Sequence, residues 1–155
     1  MCTEDLQLLA VVISAISTIA AATSAFYSAK SSKITLDLYK SERKEKLFDD
    51  LDKILGIGIE YPYLESREFT SKWNSYRGTD DEKYLRYDMY CNLIFNYLGR
   101  VFIHFEKDKK KIEEFLEVKS WVRTHKYNWQ NPTDENENID AYGEDFRAFI
   151  NSYLK

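Results

Sequence analysis

The chain has few of the residues that break helices and few of those that carry most enzyme chemistry. Its 155 residues include two prolines, five glycines, two cysteines and two histidines. Apolar residues recur at helical spacing, and the sequence contains no alternating strand pattern, internal repeat or low-complexity linker. Because proline and glycine are the strongest helix breakers, this composition predicts an all-α fold.

Motifs for catalysis and metal binding are also missing. The sequence has no glycine-rich phosphate loop, no His-Glu-x-x-His and no Gly-x-Ser-x-Gly. His104 and His125 have no cysteine or carboxylate at ligand spacing, so no zinc site is predicted. Cys91 falls in an apolar seam, where a thiol usually packs as a small hydrophobic group. A net charge of −4 disfavours a general nucleic-acid binder. Because motifs for catalysis and metal binding are missing, we expect neither an enzyme nor a cofactor.

One long segment lacks charge. Leu6 to Ala29 is a run of 24 residues without a charged side chain. As a helix it is expected to be about 36 Å long, against a hydrocarbon core of about 30 Å. A cleaved signal peptide begins with basic residues, whereas this run follows the acidic segment MCTED. A buried helix of a soluble protein rarely reaches this length without a charge. We therefore expect a transmembrane helix.

Basic residues lie on one side of this run only. Those that follow it are Lys30, Lys33, Lys40, Arg43, Lys44 and Lys46. The positive-inside rule then places the N-terminus outside and the C-terminus in the cytoplasm. The expected organisation is a short extracytoplasmic tip (1–5), a transmembrane helix (6–29), a charged helical stalk (30–58) and a cytosolic helical domain (59–155).

Small and hydroxyl side chains occupy one face of the predicted membrane helix. On a wheel of about 100° per residue, this small-residue stripe consists of Ser14, Ser17, Thr18, Ala21, Ser24, Ala25 and Ser28. Lipid tails gain nothing from a hydroxyl, whereas another helix can approach small residues closely. We therefore expect the chain to bind the lipid bilayer and itself, with a tetramer favoured over a dimer. Two interpretations stay open, a tightly packed bundle and a ring of helices whose hydroxyls line a gated polar path.

The rest of the chain is predicted to form a helical bundle. Gly56, Gly58 and Pro62 are expected to end the first helix, because glycine and proline are helix-stop signals. Further helices are expected over Leu64 to Tyr76, Asp80 to Phe105, Lys109 to Thr124 and Ala141 to Leu154, with Thr79 and Glu82 as a capping box. The second of these carries the expected core seam at 3,4 spacing: Tyr84, Tyr87, Cys91, Ile94, Leu98, Val101 and Phe105.

A loop predicted over residues 125–140 places aromatic rings beside cations. The candidate ligand-binding residues are Arg123, Lys126, Tyr127 and Trp129. Such a group can bind a nucleotide-like anion through stacking and charge. The rings can equally pack beneath the bundle, as the aromatic residues of long loops often do, and this second interpretation is favoured.

The chain resembles a group of bacterial single-pass membrane proteins in its anchor, its charged stalk and several segments. These segments are YPYL (61–64), YDMYCNLIF (87–95), a later Trp and Asn-Pro pair, and YGEDFRAFI (142–150). Some small proteins of this architecture, including the membrane effector of the Hailong system, act in anti-phage abortive infection. The resemblance implies an effector that depolarises the membrane on infection, controlled by a nucleotide, an oligonucleotide or a nucleotidyltransferase partner. The other hypothesis is a membrane-tethered scaffold or sensor that only oligomerises through the same helix.

Overall fold

A computed structural model describes residues 3–76, 79–132 and 138–155, except for the side chains of residues 3–10, 12 and 15. Every regular element in these residues is helical, which confirms the all-α prediction for this part of the chain. The α-helices are α1 (Thr3–Glu60), α2 (Arg67–Ser71), α3 (Glu82–His104), α4 (Lys109–Phe115), α5 (Val118–Thr124), α6 (Lys126–Trp129) and α7 (Glu144–Asn151). Three 3₁₀ turns, Pro62–Glu65, Trp73–Tyr76 and Asn138–Ala141, lie between them.

The chain divides into two compact units, Met1–Arg43 and Lys44–Lys155. In the first unit, the described residues all belong to α1. The second unit contains the end of α1 and all the other elements, and the whole buried core lies in it.

The predicted membrane span begins in residues whose side chains are not described. Of the helices in the described part of the chain, none combines the length and the apolar character that crossing a bilayer requires. The side chains of residues 6–10, 12 and 15, which belong to the predicted span, lie outside the described residues.

The core of the second unit is built around α3. All but the last member of the predicted seam are buried, and Phe105 is partly buried and packs against the others. Further residues of α3 are buried as well: Tyr90, Phe95, Tyr97 and Phe102. Large side chains from the shorter elements complete the core: Trp73, Ile112, Val122, Trp129 and Ile150. Because each such side chain contributes about 1.5–3 kcal/mol when it is fully buried, α3 is the element on which the bundle packs.

The start of α3 is capped by a residue that the sequence analysis did not choose. The Asp81 carboxylate accepts hydrogen bonds from the backbone N–H groups of Lys83 at 2.8 Å and Tyr84 at 3.3 Å. The predicted capping box is therefore wrong, since the Thr79 hydroxyl donates instead to the carbonyl oxygen of Tyr76 at 2.6 Å. Aspartate and threonine are both good N-caps, and position relative to the first turn decides between them.

Two of the predicted long helices are broken into shorter pieces. The segment from Leu64 to Tyr76 is interrupted at Ser66, whose extended backbone has φ −74° and ψ 121°. The segment from Lys109 to Thr124 is interrupted at Leu116, which is also extended with φ −148° and ψ 139°. Glu117 then starts α5 by accepting a hydrogen bond from the Ser120 N–H at 3.1 Å. Neither break involves proline or glycine, so no local stop signal revealed it.

Both ends of the predicted 125–140 loop are helical instead. The loop prediction is wrong for α6 and for the 3₁₀ turn Asn138–Ala141, and residues 133–137 lie outside the described residues. The last predicted helix also shortens to α7. Short helical turns arise here because buried side chains, not local propensity, fix the backbone.

The prediction that Gly56 and Gly58 end the first helix is also wrong, because α1 continues to Glu60. A Cβ atom added at Gly58 lies 3.0 Å from the Tyr90 hydroxyl oxygen, whereas one added at Gly56 meets nothing within 4 Å. Glycine at 58 therefore lets α1 and α3 approach closely, while glycine at 56 has no packing role among the described residues.

We expect Gly56→Ala to raise the free energy of unfolding by about 0.5–1 kcal/mol, because alanine lowers the entropy of the unfolded chain in a helix interior. Gly58→Ala should lose this gain, since its methyl group displaces a Tyr90 hydroxyl that is bonded to Glu65 at 2.7 Å. Urea unfolding of the two full-length variants, followed by far-ultraviolet circular dichroism, compares them directly. Equal stabilisation by both changes contradicts the close approach at Gly58.

Candidate functional site

A buried histidine lies at the polar centre of the second unit. His125 is fully buried between α5 and α6. Its Nδ1 atom is 3.2 Å from the Tyr87 hydroxyl and 3.8 Å from the Cys91 sulfur. Its Nε2 atom lies 3.4 Å from the Glu65 carboxylate, a distance typical of an ion pair, without a direct hydrogen bond. Tyr90 donates a hydrogen bond to the same Glu65 oxygen at 2.7 Å. These five residues form what we call the histidine cluster.

Three separate parts of the chain supply the histidine cluster. Tyr87, Tyr90 and Cys91 lie on one face of α3, at the spacing of three and four residues that brings helix side chains together. Glu65 ends the 3₁₀ turn Pro62–Glu65, and His125 follows α5. This cluster was not predicted, because its members are far apart along the chain and match no motif.

The electrostatics of the cluster favour neutral hydroxyl and thiol groups around one ionised carboxylate. Burial by itself raises the pKa of Glu65, but the nearby His125 imidazole and the hydrogen bond from Tyr90 outweigh it and lower the pKa. Burial raises the pKa of Tyr87, Tyr90 and Cys91 well above their usual values. The order Cys91, His125, Glu65 resembles a nucleophilic triad, but a fully buried thiol with a raised pKa is not an activated nucleophile. The cluster is therefore suited to holding the domain together.

The predicted ligand-binding residues separate into two groups. Arg123, Lys126 and Tyr127 line one surface pocket of about 500 Å³. Trp129 does not join them: it is fully buried, its ring centroid is 4.6 Å from that of Phe95, and its indole N–H donates to Asn151 at 2.9 Å. Trp129 therefore packs beneath the bundle, because the core buries its indole ring and also supplies a hydrogen-bond acceptor for its N–H group.

The pocket just described carries positive charge and no carboxylate side chain among its lining residues. We call it the basic pocket, and it is lined by Arg67, Thr70, Ser71, Arg123, Thr124, Lys126, Tyr127 and Leu154. Its walls come from α2, the end of α5, α6 and the last residues of the chain. Arg67 was not predicted, because it is far from Arg123 in sequence and α2 brings it close only in the fold.

The seven residues of the small-residue stripe are exposed along α1. The Ser17 hydroxyl donates to the carbonyl oxygen of Ile13, and the Thr18 hydroxyl to that of Ser14, both at 2.8 Å. These hydroxyls are therefore paired within their own helix, so the helix can place them in a medium without water.

No potential metal site occurs in residues 3–76, 79–132 and 138–155, where no group of three or more His, Cys, Asp and Glu side chains is placed to hold an ion. The chain was compared with family models, with characterised proteins and with solved structures, and none of these matches it.

We expect Tyr87→Phe to lower the free energy of unfolding by about 1–3 kcal/mol, because it leaves a fully buried imidazole nitrogen without its hydroxyl partner. Tyr90→Phe should cost less, about 0.5–1.5 kcal/mol, because the Glu65 side chain is 35% exposed and water can replace the lost bond. Urea unfolding of the two matched variants measures both values. A larger loss in Tyr90→Phe contradicts the buried position of the His125 contact.

The lowered pKa of Glu65 also predicts a pH dependence. Because folding lowers the pKa of Glu65, ionised Glu65 contributes its full share of stability at pH values above the pKa of the unfolded chain, about 4.3. This contribution is lost as the pH falls through the lower pKa of the folded protein. In Glu65→Gln, the free energy of unfolding should fall less steeply below about pH 5 than in the wild type. Glu114→Gln, which removes an exposed carboxylate outside the cluster, is the control and should keep the wild-type slope.

Proposed function

We propose that this chain is a membrane effector of a bacterial anti-phage abortive-infection system. In this proposal residues 6–29 anchor it in the inner membrane with the N-terminus outside, and the helices of several copies associate through the small-residue stripe. The assembly forms a gated pore that depolarises the membrane. A ligand or partner at the cytosolic domain controls the gate, with a nucleotide, an oligonucleotide or a nucleotidyltransferase as the candidates.

One observation carries the anchoring part of this proposal. Large apolar side chains of α1 are exposed in the first unit, for example Val11 at 69%, Ile16 at 62% and Ile19 at 67%. Phe26 and Tyr27 follow them and are exposed to a similar extent. Surface helices of soluble proteins bury one apolar face and keep a charged one, and residues 6–29 have no charge at all. These exposed side chains support an apolar surrounding, which a bilayer and neighbouring helices supply.

Self-association is supported by the composition of the small-residue stripe. Ala21 and Ala25 are four residues apart, a spacing at which small side chains let two helices approach closely. In the pore arrangement these alanines form narrow, dry rings between rings of serine hydroxyls, and dewetting at such rings can close the path. In the scaffold arrangement, which is the second candidate function, the same alanines are packed against each other.

We expect the full-length protein in mild detergent to be a homotetramer, measured by size-exclusion chromatography with light scattering. Ser17→Leu and Ala21→Leu should break the tetramer, because each larger side chain forces the helices apart. Ile19→Leu, on the opposite face, keeps the apolar volume and should leave the assembly unchanged. A wild-type protein that is monomeric under these conditions contradicts the proposal.

Ala21→Asp separates the pore from the scaffold. In a water-filled pore the four carboxylates form a hydrated ring, so the tetramer should survive with altered ion selectivity in bilayer recordings. In a packed bundle they are buried, at a cost of about 2.5–3.5 kcal/mol per charge, and the tetramer should dissociate. Dissociation of this variant, together with a wild-type protein that shows no conductance with its activating partner, favours the scaffold.

A further inference from the structure

The basic pocket has the charge of an anion site. Three of its eight lining residues, Arg67, Arg123 and Lys126, are cations, and none is a carboxylate. Among the described residues, none of these three cations takes part in an ion pair. The acid nearest in sequence to Arg67, Glu68, pairs instead with Lys72 at 2.8 Å. Three positive charges that line one pocket without an Asp or Glu partner favour the binding of an anion.

Arg123 is held in place before any ligand arrives. Its Nε atom donates to the carbonyl oxygen of Tyr153, and its Nη2 atom donates to the backbone oxygen of Lys155, both at 3.2 Å. A guanidinium carries five N–H donors, so these two bonds fix its orientation and leave the Nη1 group for another acceptor. Preorganisation of this kind lowers the entropy lost on binding.

Of the three Ser and Thr hydroxyl groups in the pocket, only one is left to donate a hydrogen bond to a ligand. Thr70 and Ser71 donate their hydroxyl protons to the carbonyl oxygens of Arg67 and Glu68, at 3.4 Å and 3.1 Å. Thr124 makes no such bond among the described residues, so its hydroxyl remains as a donor beside Arg123. The donor set is therefore two guanidinium groups, one ammonium group and one hydroxyl, which suits the several oxygen atoms of a phosphoryl group.

We infer that the basic pocket binds a small ligand that carries phosphoryl groups, either a free phosphate compound or the headgroup of an anionic lipid. Its volume of about 500 Å³ lies within the range of small-molecule sites, about 300–1,000 Å³. Tyr127 closes one side, with the Lys126 ammonium 4.8 Å from its ring centroid, so the aromatic ring holds a cation toward the pocket. This inference deepens the proposed function, since it names the chemistry of the ligand that controls the cytosolic domain.

The test is isothermal titration calorimetry on the full-length protein in a neutral detergent, with two probes in separate arms. The first probe is inorganic pyrophosphate in solution, and the second is detergent micelles that contain phosphatidylglycerol. Arg67→Gln and Lys126→Gln each remove one cation of the pocket and should weaken binding about tenfold or more. Lys119→Gln is the matched control, because it removes an exposed cation from α5, the helix of Arg123, without touching this pocket.

Pyrophosphate binding that is weakened by Arg67→Gln and Lys126→Gln, but not by Lys119→Gln, supports the inference and identifies the ligand as a free phosphate compound. The same result with the phosphatidylglycerol micelles alone identifies the ligand as a lipid headgroup. No binding in either arm, or equal weakening by the Lys119 control, overturns the inference. Unchanged melting temperatures of the variants exclude unfolding as the cause of a loss. Failure here leaves the tetramer and its conductance untouched, while a monomeric protein that still binds pyrophosphate overturns only the proposed function.

Discussion

The second unit depends on one buried polar contact, the pair formed by His125 and Glu65. An imidazole without exposure costs several kcal/mol to bury unless its nitrogen atoms have partners. The Tyr87 hydroxyl on α3 lies 3.2 Å from Nδ1, and the Glu65 carboxylate on the preceding 3₁₀ turn lies 3.4 Å from Nε2 without a direct hydrogen bond. Since such a network is favourable only when its members are in place together, it selects one arrangement of the short helices around α3. Apolar burial alone tolerates several arrangements of similar volume.

The same contact determines which side chains reach the surface beside it. With His125 directed into the core, the residues on either side of it, Arg123 and Thr124 before and Lys126 and Tyr127 after, are left at or near the surface. Four residues that line the basic pocket therefore flank one buried histidine. The histidine cluster and the basic pocket therefore share the backbone of residues 123–127.

The helical repeat of apolar residues predicted α3, the helix around which the core is built, but not where the shorter helices begin and end. The seam of α3 repeats over many turns, so six of its seven predicted residues are buried, whereas the other buried residues of α3, Tyr90, Phe95, Tyr97 and Phe102, were not predicted. The breaks at Ser66 and Leu116 were missed, because long-range packing and not a local stop signal ends those helices. Gly58 was wrongly predicted to end the first helix for a related reason. Its missing side chain makes room for Tyr90 of α3, and no local pattern reveals this contact. In the basic pocket, the residues that are neighbours in the sequence, Arg123, Lys126 and Tyr127, were predicted. Arg67 was missed, because only the fold brings it to the same pocket.

The two units satisfy their polar groups in different ways, and this difference bears on which contacts would hold the helices together in the proposed assembly. In the second unit hydroxyl and imidazole groups are paired between elements, which ties those elements together. In the first unit the Ser17 and Thr18 hydroxyls donate to carbonyl oxygens of their own helix. Their protons are therefore already used, and only oxygen lone pairs remain to face a neighbouring helix. Hydrogen bonds from these two hydroxyls thus contribute little to holding helices together. Close packing at the small side chains Ala21 and Ala25 is left as the main source of attraction, because it needs no exchange of hydrogen bonds.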